Sequence, residues 1–489
     1  MPVSLGLELC DAGFLAATSD ASEVRPLAIT DRNGATDWPG FASQQNSELL
    51  FGRAGEDDWF VHPRCVVHTF WSKLAHEPST IAKGGKLLSF SELAYFFLRE
   101  FAQRTVAAQG PLEKVVLAVP GAYLKNTAAE EEKIGLLLGL AADLKIPLAG
   151  IVDMACAALC DPRAPGFSPT LPIMVLDLQL EAAEFTQLAV HDRLERKAYF
   201  EMPNSGYARL LKHLTATMGN RFLRHTAFDT MEDGRIEQAF FRQTKDFLLN
   251  GADEHRYQIN TARRNYEMVA KRDQLAADVK PFVDSLLQSF GAFVEQAGHA
   301  PGHCTVALTH RSAVLPGIEA RLRSLGYMRQ LRLPTGAAAA GAARIGANRL
   351  NVPADVTDVP VEMSVPLSDT RRTAAVAWEI RLRKAPRSSV TRPPTHAILD
   401  GLGWPLAGRE KFTIGALTAG PDLPLPDTFS GHSGSFISLH HNAGRLWFTD
   451  PSTENSDGAP IIVESGDSLT VTTGNHTAVV LFASCPAVA

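Results

Sequence analysis

Hydrophobic and polar positions along residues 1–350 switch between two periods. Short apolar runs at VSLGLEL, FLAATS, KVVLAVPG, PIMVLDLQL, EFTQLAV and HCTVALT predict strands, several of them buried on both faces. SFSELAYFFLREFAQRTVA and NTAAEEEKIGLLLGLAADL carry helical spacing, and the long stretch 235–298 reads as continuous helix. This alternation predicts an α/β domain over 1–350. After Leu350 helical spacing disappears. Arg381, Arg383, Lys384, Arg387 and Arg392, interspersed with Pro386, Pro393 and Pro394, mark 351–394 as a basic, proline-bearing linker. From 395 to 489 short strands alternate with Gly, Pro, Asp and Asn clusters, the pattern of a β-sandwich.

Length fits this division. A chain of 489 residues exceeds one ordinary core, since domains run to roughly 100–200 residues. With 45% hydrophobic and 20% charged residues, the composition is globular. A net charge of −6 offers no footprint for a polyanion, so nucleic acid is not an expected partner. No window approaches the ~18 uninterrupted apolar residues of a membrane helix, and no charged segment precedes an apolar leader. The expectation is a cytoplasmic protein without membrane insertion. Asn475-His476-Thr477 fits a glycosylation sequon, which carries no weight without a secretory signal.

Cys10, Cys65, Cys156, Cys160, Cys304 and Cys485 are scattered without a C-x-x-C pair, and are expected as buried, reduced thiols. His432, His440 and His441 lack the spacing of a metal site. Gly431-His432-Ser433-Gly434 approaches a hydrolase nucleophile elbow, but Ser435 takes the final glycine position in an all-β context.

Six stretches of 1–350, taken in order, resemble the nucleotide-binding domain of DnaK-type heat-shock chaperones in the actin and sugar-kinase superfamily. GLELCDAGFLAAT looks like the first phosphate loop, and VVLAVPGAYLKN like the V-T-V-P-A-Y-F-N strand and helix start. IVDMACAAL is similar to I-N-E-P-T-A-A-A, and IMVLDLQLEAAEF to the second phosphate loop, F-D-L-G-G-G-T-F-D. VALTHRSAVLPG resembles the adenosine motif V-G-G-S-T-R-I-P, and AAAAGAARIGA the closing helix. The resemblance implies a two-lobed actin-like fold with ribonuclease-H-like halves and a Mg-ATP cleft.

The departures argue against that cofactor. Glycines let backbone N–H groups approach phosphate, and here Cys10, Asp11 and Ala12 replace Gly-Thr-Thr while Gln179, Leu180 and Glu181 replace three glycines. Asp11 and Glu181 would add carboxylates beside a polyphosphate, where like charges about 4 Å apart repel by roughly 1–4 kcal/mol. His310 and Arg311 replace the glycine pair beneath the purine, and Arg311 is expected to lie across that pocket and pair with the surplus carboxylates. Glu8, Asp153 and Asp177 keep acids where the family holds magnesium and its water. Lys73 is the nearest candidate for the family's catalytic lysine, with Ser72 the alternative register.

The stretch from REKFTIGALTAG to ESGDSLTV resembles a forkhead-associated domain. Ile414-Gly415 matches its I-G-R turn, Ser430 the serine of S-R-x-H, and Asp450 with Ser452-Thr453 its D-x-x-S-T-N-G. Ala416 stands for the phosphate-binding arginine, Gly431 for the S-R-x-H arginine, and Glu454 displaces the asparagine, leaving Asn455 beside it. The family reads phosphothreonine peptides, so this face, with Thr453, is expected to be degenerate. The combined expectation is a non-catalytic pseudo-ATPase scaffold with protein partners, in a bacterial-type assembly, and without cofactor. The alternatives are an ATP-dependent, Mg-using chaperone-like switch and an actin-like filament former.

Overall fold

The computed structural model describes residues 4–20, 23–31, 34, 36, 38–45, 48–111, 113–125, 128–167, 171–262, 264–348, 359–367, 379–385, 393–406, 411–416, 421–426, 436–442, 445–448, 461–473 and 476–484. The chain is a mixed α/β protein that divides into two compact units. The first comprises Met1–Ala164, Pro172–Tyr327 and Arg332–Pro366; the second holds Pro165–Leu171, Met328–Leu331 and Leu367–Ala489.

In the first unit, strand Ser4–Glu8 turns back antiparallel onto Leu15–Ser19, which pairs with Val24–Leu27. On its other edge Ser4–Glu8 runs parallel to Lys114–Val119, and that strand parallel to Leu148–Asp153. A second sheet repeats the scheme: Ile173–Leu178 turns back onto Ala182–Val190 and Arg193–Pro203, and runs parallel to Thr305–Leu308 on its other edge. In both sheets the opening strand is fully buried, which matches its unbroken apolar run.

Glu8 ends the first opening strand and Asp177 is the last residue but one of the second, each close to its hairpin turn. The two acids therefore occupy similar places in two similar sheets. Helix Ala337–Ala347 lies on the first sheet at a distance set by small residues: a Cβ on Gly6 would meet the Ala339 carbonyl at 2.0 Å, and one on Gly341 the Ala157 carbonyl at 1.7 Å.

The expected continuous helix over 235–298 is two helices, Gly234–Asn250 and Arg272–Gln296, flanking a hairpin of Glu254–Asn260 and Asn265–Lys271. Gly251 ends the first helix in the left-handed region at φ 68°. Beyond it the burial alternates with period two, placing Tyr257, Ile259, Met268 and Ala270 on the core face. The turn residues Asn250-Gly251 and Asn260-Thr261 carried that signal.

The stretch expected as linker contributes strands. Val361–Glu362 pairs with Leu148–Asp153 and Ser364–Pro366 with Arg193–Pro203, while Glu379–Arg383 pairs with Ser468–Thr473 in the second unit. Among its described residues that unit has two sheets around one core of residues including Phe412, Ile414, Leu439, Phe448, Val471, Val480 and Phe482. Its strand pairs are antiparallel, except that Ile414–Ala416 runs parallel to Leu423–Leu425. His440 and His441 are successive strand residues and so face opposite sides.

Cys10, Cys156, Cys160 and Cys304 are buried thiols outside any disulfide; Cys65 is exposed, against expectation, and Cys485 lies outside the described residues. It sits on a short turn, Pro63–Cys65, with no buried residue. No helix among the described residues is long and apolar enough to cross a membrane.

Candidate functional site

The hairpin turns that follow the two opening strands, Ser4–Glu8 and Ile173–Leu178, bond each other. Gln179 N donates to Ala182 O at 2.8 Å, leaving Leu180 and Glu181 at the tip of a tight turn. Leu180 N donates to Asp11 Oδ1 at 2.6 Å, and Cys10 Sγ donates to Gln179 Oε1 at 3.0 Å. The carbonyls of Gln179 and Leu180 accept from Tyr207 N and Ala208 N, at 3.0 and 2.9 Å, in the first turn of helix Tyr207–Thr226. Gly206 permits that approach, because a Cβ there would meet Leu180 O at 2.4 Å. The N–H and C=O groups of Gln179 and Leu180 in the second turn are thus already paired.

Below the turns lies Arg311, second residue of the short helix His310–Ala313 that follows strand Thr305–Leu308. Its Nε donates to Asp177 Oδ1 at 3.1 Å, its Nη2 to Asp177 Oδ2 at 2.9 Å, and its Nη1 to Glu8 Oε1. Asp177 also accepts from Thr309 Oγ1 at 2.5 Å and Gln179 Nε2 at 2.7 Å. All three charged residues are buried. Burial pushes the Asp177 carboxyl up, but the Arg311 charge and hydrogen bonds, with the Thr309 hydroxyl, hold it below its usual range. For Glu8 burial outweighs Arg311 and raises the carboxyl. Asp11 is pushed up to about 7 by burial, against the stabilising Leu180 N–H.

The carboxylates that pair with Arg311 are Glu8 and Asp177, and neither Asp11 nor Glu181 does so. Asp11 is held by a backbone amide instead, and the half-buried Glu181 lies against His68, with Nδ1 and Oε1 2.8 Å apart. Asp153 stands apart from the arginine cluster. It caps helix Met154–Leu159 by accepting from Ala155 N and Cys156 N at 2.9 and 3.1 Å, and pairs with Arg196 Nη1 at 2.8 Å. Lys73 is exposed. His310 lies half-buried beside Arg311, and burial followed by that cation pushes its imidazole down to about 3.

Several residues that join the cluster's surroundings carry no sequence signal. Arg196 comes from an outer strand, where a lone arginine looks solvated. Buried Lys245 holds Glu56 with both carboxylate oxygens at 2.8 Å, and Arg242 Nε donates to Asp57 Oδ1 at 2.8 Å. Gln238 adds bonds to Glu56 O and Phe60 N at 3.0 and 3.1 Å. These partners sit some 180 residues apart in sequence, so no local pattern pairs them. A further buried acid, Glu184, accepts from Gly121 N at 3.1 Å, and the Tyr199 ring lies so near Gly121 that a Cβ there would meet Cε2 at 2.2 Å.

In the second unit Asp422 Oδ2 accepts from Thr413 N and Thr413 Oγ1 at 2.7 and 2.9 Å, fixing the Lys411–Ala416 strand to the one after it. Asp467, the acid of the Ser465-Gly466-Asp467 turn, accepts from Lys384 Nζ, Ala385 N and Glu464 N at 2.7, 2.9 and 2.8 Å. Ala416 ends its strand, and Ser430, Gly431, Thr453, Glu454 and Asn455 lie outside the described residues, as does His432. No protein-family model matches this chain, and comparison with curated proteins finds no match.

Proposed function

We propose that this chain is a non-catalytic, protein-binding scaffold: a two-lobed, actin-like domain of the DnaK type with its nucleotide cleft closed by its own side chains, followed by a forkhead-associated-like domain. The observation that carries the reading is Arg311 clamped between Glu8 and Asp177. Mg-ATP does not fit these residues. The acids that would hold the metal and its water are engaged by Arg311 or Arg196, and the turns that would wrap the phosphates are bonded to each other. Admitting a nucleotide means breaking a buried ion pair, which costs about 3–5 kcal/mol. No open phosphate cradle offsets that cost.

With turnover absent, what remains for function is surface recognition, and the acidic balance of −6 favours a protein over a polyanion. Thermal unfolding of the full chain with and without Mg-ATP tests the reading. A nucleotide at about 100 times its dissociation constant would add about 2.7 kcal/mol of stability. The scaffold reading requires no shift at millimolar Mg-ATP, and partners captured by the full chain that stay bound when Mg-ATP is added. A rise of several degrees, or release of partners by the nucleotide, would instead assign an ATP-dependent switch.

A further inference from the structure

Beside the sealed turns the first unit holds a cavity of about 240 Å³. Ala12, Leu211, Leu249 and Val314 supply apolar wall, and Leu249, 44% exposed, stands at the rim. The polar groups that reach this space are mostly spent: Lys245 is bonded to Glu56, Arg311 to Glu8 and Asp177, and the Tyr207 hydroxyl donates to Arg311 O. Besides Thr36 and Thr335, the polar residue left in the wall is His310, which lines the cavity without a side-chain hydrogen bond to any described residue. Burial and the adjacent arginine keep that ring uncharged. A neutral imidazole offers one donor and one acceptor.

We infer that this cavity is a binding site for a small, uncharged ring compound whose one hydrogen-bonding group meets the His310 imidazole. The volume falls short of the roughly 300–1,000 Å³ of sites for drug-sized ligands, which limits the occupant to about one or two rings. Paired charges in the wall leave nothing to compensate an anion, so a carboxylate or phosphate would be buried without a partner. A rigid ring fills such a space with little loss of rotamer freedom.

The test follows the unfolding midpoint of the full chain against increasing benzamide, toluene and sodium benzoate. A ligand selective for the native state raises the midpoint in a saturable way. Benzamide is expected to do so, toluene to do so less, and benzoate not at all. His310→Phe should erase the advantage of benzamide over toluene. Leu249→Trp, at the exposed rim, should abolish both responses by filling the space. Gly13→Leu is a second filling variant, since a Cβ there meets nothing within 4 Å. No saturable rise with benzamide, or a rise unchanged in both filled variants, overturns the site. Equal responses to benzamide and toluene overturn the role of His310. None of these readouts depends on the response to Mg-ATP.

Discussion

Arg311 meets Asp177 edge to edge, Nε to Oδ1 at 3.1 Å and Nη2 to Oδ2 at 2.9 Å, with both side chains buried. This two-pronged geometry suits a planar guanidinium and no other cation. Replacing Arg311 with Met leaves Glu8 and Asp177 facing each other without compensation. The expected loss is about 3–5 kcal/mol, measured by urea denaturation. Arg311→Lys keeps a charge but not the fork and should lose less. Arg311→Gly should not restore ATP binding, because Asp11 still occupies the Leu180 amide; low-micromolar affinity in that variant would show that the obstruction lies elsewhere.

Two buried acids make stability fall as pH rises. Burial, reinforced by Asp177, pushes Glu184 up to about 8, and burial pushes Asp11 up to about 7. Their unfolded values lie near 4, so between about pH 4 and pH 8 the native state holds protons that the unfolded chain releases. That contribution is fully present below about pH 4 and is lost as pH rises through 7 to 8. Glu184→Gln keeps an acceptor for Gly121 N and cannot ionise. Denaturation at about pH 6 and pH 8.5 should therefore show a flatter profile for the variant than for the parent chain. An unchanged slope would remove Glu184 from the account.

Close helix packing gives a third measurable consequence. A Cβ on Gly341 would lie 1.7 Å from the Ala157 carbonyl, where helix Ala337–Ala347 crosses Met154–Leu159. Alanine is favoured over glycine inside a helix by about 0.5–1 kcal/mol, yet Gly341→Ala should destabilise by about 1–3 kcal/mol or more because neither backbone can yield. Gly135→Ala in helix Ala128–Asp143 is the control: its Cβ meets nothing within 4 Å, and the change should be neutral or slightly stabilising.

Much of the first unit was legible because its opening strands are buried on both faces and read as unbroken apolar runs. Positions 8, 177 and 311 were singled out in the sequence only through the motifs they resemble. The pairing itself was not legible: Glu8 and Arg311 are 303 residues apart, and a choice between Asp11 and Glu8 depends on where two turns meet. The hairpin at 254–271 was hidden by helical spacing on either side, although Gly251 marked the break. Lys245 and Arg196 carry no signal in the sequence, because burial of a cation follows from its partner, and the partner is distant in sequence.

The last expectation concerns the forkhead-associated-like region and rests on sequence. In the family it resembles, the arginine after I-G and the serine of S-R-x-H hold the phosphate, and the asparagine of S-T-N-G grips the peptide backbone. Here Ala416 replaces the arginine, while Ser430 and the displaced Asn455 remain. A hydrogen bond to a charged group contributes about 1.5–3 kcal/mol, so the alanine alone should weaken phosphopeptide binding roughly 10- to 150-fold. Glu454 beside a phosphate carrying nearly two negative charges would oppose binding further. Phosphorylated and unphosphorylated threonine peptides should therefore bind the full chain equally poorly in fluorescence polarisation. A phosphate-dependent gain of about tenfold, or 1.4 kcal/mol, would mean that another cation has taken the place of the missing arginine.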